Sequence, residues 1–388
     1  MSDILGFQAI VSKTDGLGIV DDSSTYKPLH YERENMQHSA HPHERGGHRG
    51  KGGHSGNLNV VSSHIEETDV IQGTADKLNQ AAAESIAQFH PSFVLLTSAP
   101  CASMIGTDLE SIAEGIQEKY QIPAGVVRLD GQKDYLYGMS LTLEAMGKLL
   151  LAKKEQVPNT VNILGCQLAD WSEEMIMKTK AWLEDNNLKV ISCWGAKTTA
   201  ACLREATTAS CNLVVNISGL RLAKYMKAQF GIPYIVGAPF GKDNCQRLLE
   251  ELHGYDSLSE TSPCHETAHQ AEVLIIGEQL QSEAIRQALY QRGIRHISVC
   301  SFYEMDKIRM IAGDKKLVSE DEWAEMLKNP ELQLVIGDPD MKINTEVPFI
   351  ALANQASYGP KERIAPFSLV NDDLDWWLDQ QLENWRSL

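Results

Sequence analysis

Cys101 stands in Thr97-Ser-Ala-Pro-Cys-Ala-Ser-Met-Ile-Gly106, directly after the apolar run Phe93-Val-Leu-Leu-Thr97. That spacing puts a thiol at the carboxyl end of a strand and at the opening of a helix. Ligands of open α/β sheets bind on that edge, and a helix N-terminus stabilises thiolate. A thiolate there can ligate a soft metal. A small thiol also packs well in a buried turn, so position alone leaves both roles open. The other cysteines are Cys166, Cys193, Cys202, Cys211, Cys245, Cys264 and Cys300. None forms a CxxC pair, which argues against zinc ribbons, thioredoxin-type sites and ferredoxin-type cluster motifs. Cys166 and Cys193 fall at predicted strand carboxyl ends, as a second metal pair or as small buried hydrophobes.

Two further patterns could carry chemistry. Residues 41–57 contain six glycines, four histidines and the cations Arg45, Arg49 and Lys51. Glycine at that density disfavours helix and strand interiors, so the segment reads as a loop. Its backbone N–H groups and charges suit an anion. Gly52 follows Lys51 where a phosphate-binding P-loop needs Ser or Thr. Its alternative is a solvated loop with adventitious metal affinity. His265-Glu-Thr-Ala-His269 matches the zinc-protease pattern, but it sits in a polar linker directly before a predicted strand, with no long helix to frame it. Coincidence accounts for it better.

The surrounding composition bounds the function. The chain has 388 residues, with Lys+Arg 35 against Asp+Glu 52, a net charge of −17. Phosphate polymers and anionic membranes repel such a surface, so neither nucleic acid nor membrane is expected as a partner. Hydrophobic residues make up 43%, enough for a sizeable core. The opening MSDILGFQAI does not read as a signal peptide, and no run of about 18 apolar residues occurs. The expectation is a cytoplasmic protein with reduced thiols. Eight of the twelve histidines lie in residues 30–90, many of them in the basic loop.

The elements that must position these residues alternate. Residues 1–57 show weak periodicity. Helix Thr74–Gln88 follows, then strand Phe93–Thr97, helix Thr107–Tyr120, strand Ala124–Leu129 and helix Gly138–Lys153. A second set has strands Val161–Leu164, Lys189–Ser192, Leu213–Ile217 and Tyr234–Val236, with helices Ser172–Asn186, Thr198–Glu205, Gly219–Phe230 and Lys242–Leu252. After a polar linker at 253–270, a third set has strands Glu272–Ile276, His296–Cys300, Gln333–Ile336 and Phe349–Ala351. Its helices are Ser282–Arg292, Glu320–Lys328 and the Trp-bearing Asp372–Arg386. Strands separated by helices imply βαβ units and parallel sheets. Three sets predict an α/β protein of three Rossmann-like domains, over 1–156, 157–262 and 263–388. The first would hold the His/Gly-rich loop and Cys101.

Three stretches, in order, resemble the nitrogenase component 1 family, which includes the molybdenum–iron protein subunits, their cofactor-assembly scaffold, protochlorophyllide reductase and the nickel-sirohydrochlorin reductive cyclase. They are His64–Leu78 (HIEETDVIQGTADKL), Thr97–Leu109 (TSAPCASMIGTDL) and Cys211–Pro233 (CNLVVNISGLRLAKYMKAQFGIP). Gly131 and Tyr135–Gly138 stand where the family has a glycine-bearing loop before a long helix. The resemblance covers roughly residues 60–250. It implies an iron–sulfur ligand at Cys101, of a cluster that could be of the 4Fe-4S type and shared at a subunit interface. It places Gly106 and the loop residues Arg45, His48, Arg49 and Lys51 near the cofactor or substrate cavity.

This sequence departs from the family at its ligands. No cysteine precedes Cys101; histidines His38, His41 and His43 occupy the region instead. One thiolate cannot hold a four-iron cluster. A symmetric dimer could offer two copies of Cys101, a paralogous subunit could supply cysteines, or His38, His41 and His43 could contribute imidazoles as in Rieske centres. A further possibility is that no cluster binds. The nitrogenase molybdenum cofactor needs a Cys in the third stretch and a His near the C-terminus; here the chain reads Val215-Asn216 and has no histidine after His296. The resemblance therefore implies a nitrogenase-like oxidoreductase component that accepts low-potential electrons from an ATP-dependent iron-protein partner. A non-catalytic metallocluster scaffold and a degenerate partner subunit are the alternatives.

Overall fold

The computed structural model describes residues 2–22, 59–167, 171–254, 272–343, 345–352 and 367–386. Three sheets follow one another along the chain, and every strand pairing in them is parallel. The first holds β1 (Leu17–Asp21), β2 (Val60–Ser62), β3 (Val94–Ser98) and β4 (Ala124–Val126), in the order β2-β1-β3-β4. The second holds β5 (Val157–Leu164), β6 (Lys189–Trp194), β7 (Ala209–Val214) and β8 (Tyr234–Val236), ordered β6-β5-β7-β8. The third holds β9 (Val273–Ile276), β10 (Ile297–Ser301), β11 (Lys315–Lys316), β12 (Leu334–Gly337) and β13 (Phe349–Ala351), ordered β11-β10-β9-β12-β13. Non-consecutive neighbours are what helical crossovers between parallel strands produce.

In the first sheet the helices are α1 (Asp3–Val11), α2 (Glu67–Gln72), α3 (Ala75–Phe89), α4 (Pro100–Ser103), α5 (Leu109–Tyr120) and α6 (Tyr135–Leu150). The second has α7 (Glu173–Asp185), α8 (Ala200–Leu203), α9 (Leu220–Phe230) and α10 (Lys242–His253). The third has α11 (Gln279–Gln291), α12 (Glu320–Met326) and α13 (Asp372–Arg386). Helix starts follow capping chemistry: Asp108, Asp134, Ser172, Glu278 and Ser319 each accept a backbone N–H from their own first turn, which satisfies an otherwise orphaned donor.

Two elements lie where the sequence shows only weak periodicity. All five residues of β1 are buried, and it pairs with β2 on one side and β3 on the other. A strand covered on both faces has no polar alternation to betray it. Helix α1 buries every residue except Leu5, Asp3 and Gln8 included, so it carries no amphipathic stripe. It lies against α6. Gly138 is interior to α6 rather than its first residue, because the helix begins at Tyr135 after its cap Asp134. A methyl group on Gly138 would overlap the Asp3 carbonyl, and one on Gly6 the Tyr135 carbonyl. The two helices cross in backbone contact at these glycines.

Among the described residues no helix is long and apolar enough to cross a membrane. The linker with His265 and His269 lies outside the described residues.

Candidate functional site

Strand β3 delivers the chain to a tight turn at its carboxyl edge. Ala99 is extended, Pro100 opens α4, and Cys101 is the second residue of that helix. Proline suits a first helical position, where its missing N–H is not needed. Two neighbours hold the turn. Ala99 N–H donates to the Asp21 carbonyl at 2.9 Å, and Gly131 packs so close to Pro100 that a Cβ there would collide with its ring. The chain leaves through Gly106, whose φ of 77° is left-handed, and then Thr107 and Asp108 open α5. Space around Gly106 is open, so it is the backbone conformation that calls for glycine there.

Beneath this turn lies a carboxyl group the sequence reading does not single out. Asp21 ends β1 and is fully buried. It accepts hydrogen bonds from Ser63 Oγ and Thr74 Oγ1, both at 2.7 Å. Thr74 Oγ1 lies 2.6 Å from Thr107 Oγ1. Burial pushes the Asp21 carboxyl above its ordinary range, against the lowering effect of these hydroxyls, with the Asp22 and Asp69 charges adding to the rise.

The stretch 64–78 forms a second clasp on the same edge. Asp69 accepts the Glu66 backbone N–H at 2.7 Å. Lys77 Nζ lies 2.6 Å from Asp69 Oδ2 and 3.1 Å from Glu66 Oε2, and donates to the His64 carbonyl. The Lys77 ammonium, first of all, holds the Asp69 carboxyl below its ordinary range. The acid–glycine–Lys-Leu pattern thus folds the chain after β2 back onto the start of α3. Val70 and Ile71 on α2, and Met104 just past α4, are large apolar side chains left at 59%, 89% and 89% exposure.

Of the predicted site residues, Cys101 and Gly106 fall within one turn. Arg45, His48, Arg49, Lys51, His38, His41 and His43 lie outside the described residues. Among the described residues no three His, Cys, Asp or Glu side chains come together as metal ligands. These residues alone therefore do not fit a four-iron cluster. Of the described cysteines in the middle sheet's segment, Cys166, Cys193, Cys211 and Cys245 are buried and Cys202 is exposed. Cys166 and Cys193 are buried thiols, and burial, then the neighbouring Cys193, drives Cys166 well above the ordinary thiol range. Burial pushes Cys211, Cys245 and Cys300 up to about 12. A thiol held protonated is a poor nucleophile.

Away from Cys101, the three sheets meet around the start of α6. Tyr135 and Tyr303 pack edge to face with centroids 5.0 Å apart. Arg221 lies over the Tyr137 ring and pairs with Glu304 at 3.2 Å, and Lys316 reaches Asp134 at 3.7 Å. Tyr303, Glu304 and Lys316 belong to the third sheet's segment and Arg221 to the second's.

A profile of the family described as nitrogenase component 1 type oxidoreductase matches residues 40–343. The chain belongs to this family.

Within the component 1 family, the chain is 24% identical over 340 residues to the nitrogenase iron-molybdenum cofactor biosynthesis protein NifE of Rippkaea orientalis, covering 80% of this chain and 69% of that one. It is 27% identical over 218 residues to the protein of the same name from Methanosarcina barkeri, covering 51% of this chain and 45% of the relative. It is 25% identical over 206 residues to the nitrogenase molybdenum-iron protein alpha chain of Clostridium pasteurianum, covering 50% and 36%. The chain thus spans less than half the length of two of these three component 1 relatives. A solved structure, nitrogenase Cp1 at pH 6.5, superimposes with a TM-score of 0.68 over 99% of this chain and 91% of that one, at 12% identity. That likeness is one of fold: the component 1 arrangement of three parallel α/β sheets.

Proposed function

We propose that this chain is a metallocluster-bearing subunit of a component 1-like complex, divided into domains over 1–156, 157–262 and 263–388. The observation that carries the reading is the place of Cys101, at the carboxyl edge of β3 in the first turn of α4. The cluster, an iron–sulfur cluster of the 4Fe-4S type, takes Cys101 as one ligand. His38, His41 and His43, or a paralogous or identical partner subunit, supply the rest. The cofactor-contacting residues in this reading are Gly106, Arg45, His48, Arg49 and Lys51. The exposed Val70 and Ile71, adjacent on α2, support a covering subunit, since exposed apolar patches mark interaction surfaces.

In the reductase reading, the chain accepts low-potential electrons from an ATP-dependent iron-protein-type partner in the cytoplasm. A second reading, a scaffold on which a metallocluster is assembled, is favoured by the relatives, two of which are named as cofactor biosynthesis proteins. Anaerobic purification with iron and sulfide analysis of the wild type and Cys101→Ala tests the shared part. Iron and acid-labile sulfide should be present in the wild type and lost from the variant. Equal, near-zero iron in both sinks the cluster. Turnover of reductant with an ATP-hydrolysing iron protein favours the reductase; cluster release to an acceptor protein favours the scaffold.

A further inference from the structure

Glu278 follows β9 and caps α11. One of its carboxylate oxygens, Oε2, accepts the Gln281 N–H at 2.9 Å. The other, Oε1, accepts the N–H of Ile217 at 2.9 Å. Ile217 opens the 3-10 turn Ile217–Gly219 that runs from β7 into α9. One carboxylate therefore joins the carboxyl edge of the third sheet to that of the second. Glu278 is 3% exposed, Ile217 3%, Asn216 and Ser218 0%.

The crevice outside the carboxyl ends of parallel strands, and the free amides where a helix begins, are where α/β sheets take anionic ligands. Here the amides of the turn are satisfied from inside the chain. Asn216 Oδ1 accepts the Ser218 N–H and the Ser218 hydroxyl, at 2.9 and 2.7 Å. Gly219 packs on the end of β5, where a Cβ would lie 2.7 Å from the Leu164 backbone. Glu278 takes the Ile217 amide with a carboxylate oxygen.

We propose that Glu278 is a built-in carboxylate occupant of the anion position at this turn, and that by filling it Glu278 locks the second and third sheets together. The turn takes no external anion while Glu278 is in place. This stands whether or not the chain carries a cluster.

Amide hydrogen exchange at Ile217 in the full chain, read with and without added acetate or inorganic phosphate, tests it. In the wild type, exchange at Ile217 should be slow and indifferent to either anion. In Glu278→Ala it should quicken by about tenfold or more, the scale of a lost charge-assisted hydrogen bond. Acetate, which returns a carboxylate to the vacated position, should slow it again. Glu278→Gln keeps an acceptor but no charge and should fall between the two; it also serves if Glu278→Ala does not fold. Unchanged exchange in Glu278→Ala, a glutamine variant identical to wild type, or a wild type protected further by acetate or phosphate would each overturn the proposal.

Discussion

Thr74 Oγ1 donates to the buried Asp21 carboxylate at 2.7 Å, across 53 positions of sequence. Its single hydroxyl hydrogen is thereby used, so the 2.6 Å contact with Thr107 Oγ1 has Thr107 as donor. With Ser63 on the other carboxylate oxygen, one acid gathers the segment after β2, the start of α3 and the exit from the Cys101 turn.

Asp21 should make stability depend on pH. Its folded pKa is raised above the ordinary 3.8, burial being the largest cause. The folded state therefore holds this proton more tightly than the unfolded chain. That contribution is complete below about pH 3.8 and is lost as pH rises through the folded value. Thermal unfolding of the wild type and Asp21→Asn from about pH 4 to 8 should show the wild type losing ground to the variant as pH rises. Parallel curves would contradict the assignment.

Gly138→Ala should detach α1. The added methyl has the Asp3 backbone in its place, and no side chain can move aside. The cost should be on the order of 3 kcal/mol, the upper range for overpacking a core, although alanine is the better helix former. Urea denaturation measures it; a neutral or stabilising result would mean that α1 does not cross α6 at this residue.

Arg286 and Asp314 form an ion pair at 2.6 Å with side chains only 3% and 1% exposed. Asp314 also accepts the Val299 and Ile311 amides, pinning the long connection after β10. Arg286→Met should cost about 3–5 kcal/mol by stranding the buried carboxylate. Arg286→Met with Asp314→Leu should recover only part of it, because those two amides then lose their acceptor. Denaturation midpoints of both variants decide; a double variant as stable as the wild type would show that the amides find other partners.

Much of the architecture was legible because local patterns and tertiary demands agree. The apolar runs at Tyr234–Val236 and Phe349–Ala351, and the amphipathic Lys242–His253, appear as their residues suggest. Elements wrapped on all sides were not: Leu17–Asp21 and Asp3–Val11 lack the polar half of the pattern that marks a strand or helix edge. At the candidate site, the backbone place of Cys101 was legible because an apolar strand running into Ala-Pro-Cys gives way to a helix at the proline. Asp21, Arg221 and Glu278 were not. Their roles depend on partners 53, 83 and 61 positions away, and an isolated acid or arginine carries no local sign of such a pairing. An acid closing an otherwise apolar run, as in Val20-Asp21, is the one trace that could have flagged Asp21.

The crossing of α1 on α6 bears on how the molecule is made. The ribosome releases α1 and β1 before the elements they pack on: β1 needs β2 and β3 on either side, and α1 needs a helix that begins at Tyr135. At about 5–20 residues added per second, the α1–β1 segment waits several seconds for α6 with its apolar residues unburied. The α1–β1 segment therefore depends on protection until α6 is made, and a translational pause after α6, rather than before it, would let the first sheet close.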